Sequence, residues 1–305
     1  MQSTSNFKKV LIFCEYSKKI GGGHFARSKR LYNYLKNKYD CKLYININNL
    51  RFNKLIETKE NKIIFYDYKS YKKFKTIHNK HNFFIFFDNN KKILKNSLNI
   101  NPLTLNKKKY SGPNWFLYPR EFTKNKRKII IKKHVSIFIV QGLTDANNNL
   151  NKITKYFLTH PQFHTFKIYV KTPHKNYLEK NLKNYKNIYE VSKIPNMFNF
   201  LNKIHLAISS IGNTAFELAF LNIPTIFVSD EKIEIKRGKI FEKKKIGKFF
   251  YSKERRNILD EMNKILKNKN YKKQIINIQK QIFNKKTLNN YDKLIRKIVY
   301  EKNKL

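Results

Sequence analysis

Short apolar runs of strand length, each followed by a stretch with helical spacing, recur in two successive series along this chain. The first series holds "KKVLIFCEY", a helix candidate over residues 24–38, then "CKLYININ", "NKIIFYDY" and "HNFFIFFD". Runs of this length, rich in β-branched and aromatic residues, read as strands. Strands that alternate with helices pair in parallel, and a parallel sheet needs cover on both faces. The second series holds "VSIFIVQG", "FHTFKIYVK", "KNIYEVSKI", "HLAISS" and "IPTIFVSD", with helices between them. From about Lys253 the chain is helical and strongly basic, and "NILDEMNKILKNK" places apolar residues at helical intervals. A chain of 305 residues suits two domains of about 150 each. The expected architecture is therefore α/β, with two Rossmann-like, doubly wound domains facing a cleft. The expected domains are residues 1–125 and residues 126–305, the second including the basic helical C-terminus. The polar stretch "KNKRKIIIKKH", from Lys124 to His134, separates them. In open parallel sheets ligands bind beyond the carboxyl ends of the strands, so the loops that follow strands are the ones to read.

Composition narrows the classes. A hydrophobic fraction of 41% with 15% aromatic residues excludes a disordered chain. No segment approaches the ~18 uninterrupted apolar residues of a membrane span. The N-terminal apolar stretch is too short for a signal peptide and lacks a small-residue cleavage site. A cytoplasmic, soluble protein is expected. Cys14 and Cys41 have no metal-ligand spacing and read as small buried hydrophobes of a reducing compartment. The net charge of +46 invites a nucleic-acid partner, because a basic surface gathers phosphates. The lysines, however, run through the whole length together with Asn, Ile, Phe and Tyr, the drift of an AT-rich coding sequence. No recognisable nucleic-acid motif accompanies them, and no nucleic acid is expected. His160 and His164 are four residues apart, but Pro161 lies between them, so they make no convincing metal pair.

Two loops carry chemistry. "IGGGHFAR" places Gly21, Gly22 and Gly23 before His24, in a chain with only eight glycines. A glycine turn out of a strand tolerates positive φ and close approach of a ligand. The helix that follows, with Phe25, Ser28, Leu31, Tyr32, Leu35 and Tyr39 on one face, directs its first N–H groups at the loop. There His24 could take a proton from water or a hydroxyl. A plain turn with a capping or surface histidine explains the same residues. The second loop is "AISSIGNTAFELAFLNIPTIFV", in which a strand ends at Ser209-Ser210-Ile211-Gly212 and a helix begins near Asn213 or Thr214. Hydroxyls, a glycine and a helix N-terminus form a natural diphosphate cradle. Glu217 lies three residues after Thr214, which fits a reciprocal capping box as well as a carboxylate on a ribose.

Together, "KIGGGHFAR", "KYSGPNWFLYPREF", "IFIVQGLTDANN" and "AISSIGNTAFELAFLNIPTIFV" follow the order and approximate spacing of one family. Over roughly residues 8–250 the chain resembles the UDP-sugar hydrolase of the pseudaminic acid pathway. It is also similar to spore-coat polysaccharide proteins and, more distantly, to the peptidoglycan N-acetylglucosaminyltransferase. The resemblance implies the two-domain GT-B fold, with UDP held mainly by the C-terminal domain. It implies a metal-independent hydrolase, without cofactor, that releases UDP and a diacetamido-trideoxyhexose for a nonulosonic acid. His24 matches the family's proposed general base, Gly21 and Gly23 its loop and Arg27 its arginine. Gly142, Thr144 and Asp145 match the loop after the first strand of the second domain. Ser209, Ser210, Asn213 and Thr214 fall on the diphosphate loop, Glu217 on the ribose ligand, and Ile194 and Met197 of "SKIPNMFNFL" beside the uracil. A GT-B glycosyltransferase with the same donor is the alternative, with contact to a membrane surface if its acceptor is a lipid. A basic, non-enzymatic binding protein is the third reading, and a monomer is expected.

The chain also departs from the pattern. Phe13-Cys14-Glu15 stands where the family shows arginine, any residue, aspartate, and Asp67-Tyr68-Lys69 stands for aspartate-histidine-tyrosine. A paired glycine is replaced by Gly142-Leu143, and an asparagine-glutamine pair is absent from "KIEIKRGK". The segment between "YININ" and "NKIIFYDY" is short, which predicts a reduced strand-helix unit in the first domain.

Overall fold

The computed structural model describes residues 9–17, 22–68, 81–88, 96–105, 108–125, 127, 134–142, 145, 147–283 and 287–302. Gly21, Thr144, Leu143 and most of "KNKRKIIIKKH" lie outside these residues. The chain forms two compact units, one from Met1–Tyr118 with Lys285–Leu305, the other from Pro119–Asn284.

The first unit is built on β1 (Lys9–Cys14), β2 (Asp40–Ile45), β3 (Lys62–Asp67), β4 (Asn82–Phe87) and β5 (Ser97–Ile100). They pair in parallel in the order β2-β1-β3-β4-β5. Side chains alternate faces along a strand, and the apolar residues divide accordingly. Val10, Ile12, Ile63, Phe65, Ile85 and Phe87 pack on one face with Leu31 and Leu35 of α1 (Gly23–Leu35). Leu11, Phe13, Ile64, Tyr66, Phe84 and Phe86 pack on the other with Phe52 and Ile56 of α2 (Asn49–Ile56). The expected reduction between β2 and β3 is thus a helix of eight residues, enough to bring two large side chains onto that face. Strand β5 is too short and too polar, with Ser97 and Asn99 alternating with Leu98 and Ile100, to stand out in the sequence.

The second unit holds β6 (Ser136–Val140), β7 (Lys167–Lys171), β8 (Ile188–Val191), β9 (Leu206–Ser209), β10 (Thr225–Val228) and β11 (Phe249–Phe250). All pairs are parallel, in the order β11-β10-β9-β6-β7-β8. Its helices are α3 (Arg120–Lys124), α4 (Asn149–Leu158), α5 (Lys180–Lys183), α6 (Met197–Leu201), α7 (Asn213–Phe220), α8 (Lys232–Lys243), α9 (Arg255–Lys267) and α10 (Lys269–Ile282). Ile137, Ile139, Ile168, Val170, Leu206, Ile208, Ile226 and Val228 form a core with Leu150, Ile153 and Phe157 of α4 and Ile258, Met262 and Ile265 of α9. In both sheets the first strand of the unit is internal, and later strands are added on either side of it. The order therefore reverses between β1 and β3 in the first unit and between β6 and β9 in the second, the positions where loops diverge and ligands lodge.

The last helix, α11 (Thr287–Lys302), departs from the expected division at residues 125 and 126. It closes the first unit, not the second. Tyr291, Leu294, Ile295 and Ile298 form an apolar stripe at helical spacing and enter the first unit's core. Tyr291 is fully buried, its ring meets Trp115 edge-on at 5.3 Å, and its hydroxyl donates to the Trp115 carbonyl at 2.6 Å. A spacing argument finds that stripe but cannot say which sheet it covers. No helix among the described residues is long and apolar enough to cross a membrane. Tyr291→Ala removes a large buried ring and should cost about 3–5 kcal/mol, whereas Tyr291→Phe loses one buried hydrogen bond and should cost about 1–3 kcal/mol. Denaturant melts of the two variants, compared with wild type, check both magnitudes.

Candidate functional site

At the first reversal point, α1 begins with Gly22 as its N-cap (φ −92°) and Gly23 as its first helical residue. Neither position uses a positive φ, so what these glycines supply is a Cβ-free approach to the helix start, not a left-handed turn. His24 follows in the first turn, with its side chain 23% exposed. Cys14, the last residue of β1, is in register with Asp67, the last residue of β3. This register brings the Asp67 carboxylate to the start of α1, where His24 Nδ1 lies 2.6 Å from Asp67 Oδ1.

Asp67 is completely buried and its oxygens are saturated. Arg27 donates from Nε to Oδ2 at 2.8 Å and from Nη2 to Oδ1 at 2.5 Å, and Ser28 Oγ donates to Oδ2 at 3.2 Å. The remaining Arg27 nitrogen, Nη1, donates to Asp88 Oδ2 at 2.6 Å, and the guanidinium lies over the Phe87 ring at 4.6 Å. Burial alone raises the Asp67 carboxyl, but the Arg27 charge and the His24 contact outweigh it and hold the group at about 2. Burial likewise works against the Arg27 charge, and the two aspartates overcome it, so its pKa lies above the ordinary value. An ionised carboxylate only accepts hydrogen bonds, so His24 Nδ1 carries the hydrogen and Nε2 is left as the basic nitrogen. Beside this group the Cys14 thiol is pushed up to about 12, by burial first and then by Asp67, and stays a thiol at neutral pH. Cys41, expected to be buried, is only half-buried.

The second reversal point sits between β6 and β9. Val140 is in register with Ser209, and Ser210 N donates to the Val140 carbonyl at 3.1 Å. Gly142 takes φ +69°, and a Cβ there would stand 3.9 Å from Ser210 Oγ. The loop after β6 and the loop expected at the diphosphate therefore lie side by side. Ser209 is fully buried and donates to the Ser210 carbonyl at 2.8 Å. Ser210 is 9% exposed, and Gly212, Asn213 and Thr214 are half-buried at the start of α7. The N-cap of α7 is Gly212, with no side-chain cap. Thr214 is thus already helical, which rules out the reciprocal capping box with Glu217. Glu217 is buried at 7% exposure, one turn into the same helix.

Other candidates are placed differently. Asp145, at φ +42°, accepts from the N–H groups of Asn149 at 2.9 Å and Leu150 at 3.0 Å and from the Tyr177 hydroxyl at 2.9 Å. Its carboxylate caps α4, and burial raises its pKa against these three bonds. Arg27, expected at the ligand, lies 3% exposed between two aspartates. Ile194, in the loop after β8, and Met197, the first residue of α6, are both half-buried. They follow the edge strand, three strand spacings from β9, about 14 Å. Asp67 and Asp88 had no site role in the sequence reading, although each closes an apolar run, in "IIFYD" and "FIFFD", where a charged residue ends a buried strand.

No sequence-family profile and no curated protein sequence matches the chain. Solved structures do. The chain is similar to the glycosyltransferase SnogD from Streptomyces nogalater, with TM-score 0.62 and 9% identity over 95% of this chain and 99% of that one. It is similar to MurG of Acinetobacter baumannii, with TM-score 0.57 and 12% identity over 95% and 99%. It is also similar to the UDP-GlcNAc 2-epimerase from Neisseria meningitidis bound to UDP-GlcNAc, with TM-score 0.61 and 11% identity over 96% and 100%. The fold is the expected one, two Rossmann-like α/β domains of the GT-B glycosyltransferase type. Identities this low establish the fold and nothing finer.

The buried pair carries its own expectation. Asp67→Asn leaves Arg27 without its bidentate partner and should destabilise the protein by about 3–5 kcal/mol. In the wild type a carboxyl held at about 2 contributes stability that is complete above the unfolded value near 4. That contribution, about 2–3 kcal/mol, should disappear as pH falls from about 4 to about 2. Denaturant midpoints across that range should show the acid loss in wild type and not in Asp67→Asn.

Proposed function

We propose that this chain is a UDP-sugar enzyme in which His24 is the general base and the second unit holds the nucleotide. The observation that carries the reading is the His24 to Asp67 contact at the end of β3. An imidazole with Nδ1 tied to an ionised, buried carboxylate presents Nε2 as a proton acceptor of defined orientation. Such a base suits a single displacement at an anomeric carbon. A water or hydroxyl gives its proton to Nε2 as it attacks, and the diphosphate leaves with its charge met by hydroxyls and a helix N-terminus. The loop from Ser209 to Thr214 beside Gly142, with Glu217 buried behind it, supplies those groups. Ile194 and Met197, which follow β8, are assigned to the uracil on the sequence motif "SKIPNMFNFL".

The finer reading is a hydrolase, with water as nucleophile and a free diacetamido-trideoxyhexose as product. It rests on the order of the four sequence motifs. Solved structures of similar fold that are named as glycosyltransferases support the alternative, in which an acceptor hydroxyl replaces water. A screen of UDP-sugars followed by NMR separates them, because a hydrolase consumes its donor without an acceptor and a transferase consumes it only with one.

His24→Ala should lower turnover by about 10²- to 10⁴-fold and leave UDP affinity nearly unchanged. Turnover near the wild-type rate would make His24 structural. Glu217→Gln should weaken UDP binding with little effect on the melting temperature if the carboxylate accepts from ribose hydroxyls. Equal UDP affinity in the two proteins would remove that assignment.

A further inference from the structure

Helix α8 reaches the serine loop through a close contact. At Gly238 a Cβ would lie 2.3 Å from the Phe249 ring and 2.8 Å from Ile211 Cδ1, so only glycine lets the helix approach the loop and β11 this closely. Glu234 stands four residues earlier on the same helical face. Its Oε2 accepts from Ile211 N at 3.2 Å, and a Cβ on Gly212 would sit 3.7 Å from its Oε1. Arg237, one turn on, approaches the Ile211 carbonyl with Nη1 at 3.5 Å. The Ser229 hydroxyl at the end of β10 also hydrogen-bonds Glu234. One residue of the loop, Ile211, is thus held by a carboxylate on its N–H and by a guanidinium on its carbonyl. The acid lies against the N-cap of α7, where an anion is favoured.

We propose that Glu234 is a specificity-determining residue of the nucleotide loop, a fixed negative charge that weakens binding of free nucleoside diphosphate more than binding of its sugar ester. The inference rests on the reading that this loop holds the diphosphate. Free diphosphate carries one more negative charge than its glycosyl ester, so a neighbouring carboxylate repels the product more strongly than the substrate. Glu234 therefore favours product release, and Arg237 beside it opposes that effect. The ionisable neighbours are few. Glu231 at the start of α8 pushes the Glu234 carboxyl further up, after burial, and Arg237 pulls it down. Asp230 after β10 accepts from Ser252 N, and the loop from Ser210 to Thr214 brings no ionisable side chain. Burial raises its pKa, so the carboxyl gives up its charge at a higher pH than an exposed glutamate does.

Titration calorimetry of the intact protein with UDP, UDP-N-acetylglucosamine and uridine tests this. Glu234→Gln keeps an oxygen for the Ile211 N–H and removes only the charge. At pH about 8 it should bind UDP about ten-fold more tightly, ~1.4 kcal/mol, with a smaller gain for UDP-N-acetylglucosamine and none for uridine. The ratio of the two proteins' UDP affinities, in which the ligand's own titration cancels, should shrink toward one as the pH is lowered and Glu234 is protonated. Arg237→Gln should weaken UDP by a similar factor and leave uridine alone, which keeps the test open if the first variant folds poorly. Wild-type binding of UDP with no gain in Glu234→Gln, or an equal gain for uridine, overturns the role of Glu234 and leaves the nucleotide reading intact. Absence of UDP and uridine binding in all three proteins overturns both.

Discussion

A carboxylate with no exposure to water is the constraint around which the first unit is arranged. Taking the Asp67 and Arg27 charges out of water costs several kcal/mol each, and mutual attraction repays that only when the geometry is saturated. Here it is: two bonds from Arg27, one from Ser28 and one with His24 engage both Asp67 oxygens, while the third Arg27 nitrogen is taken by Asp88. These residues come from the start of α1, the end of β3 and the residue after β4. The cluster therefore ties three neighbouring loops into one piece and fixes the orientation of the single histidine at its edge. An arrangement so costly to assemble is weak support for stability but good support for a positioned side chain.

The two units solve the same topological problem with different chemistry. Each places its first strand inside a parallel sheet and opens two loops where the strand order reverses. In the first unit ionised side chains fill that place. In the second, backbone groups and hydroxyls fill it, with Gly142 set against Ser210 and the α7 cap left to a glycine. The difference is a division between an ion cluster in one unit and a glycine- and serine-bearing loop pair in the other.

The scarcity of acids sharpens this division. The chain has 20 Asp and Glu against 66 Lys and Arg. Among the described residues the buried acids are Asp67, Asp145, Glu217 and Glu261, and three of these four stand at or beside the loops of the reversal points. Lysines spread over a surface follow coding composition at little energetic cost, because exposed charges interact weakly. A buried acid does not drift in this way, since each must be matched by donors or cations.

How much was legible in advance divides along physical lines. Strand runs such as "VLIFC" and "SIFIV", the helix after His24 and the parallel α/β class were readable because burial on both faces writes itself into short apolar runs at local spacing. The two loops were readable because glycines and serines concentrate after strands. What lies between distant segments was not readable. The pairing of Asp67 with His24 depends on the register of β3 against β1, and the capture of α11 by the first unit depends on which core its stripe reaches. The position of Glu234 depends on how closely Gly238 lets α8 approach. The Thr214 and Glu217 spacing allowed two meanings until the structure put the N-cap at Gly212 and left Thr214 inside the helix. The sequence by itself determined which segments are strands and helices and which loops are unusual, because those follow from neighbours along the chain. Only the tertiary structure decided which charges meet, because a buried ion pair is specified by partners tens of residues apart.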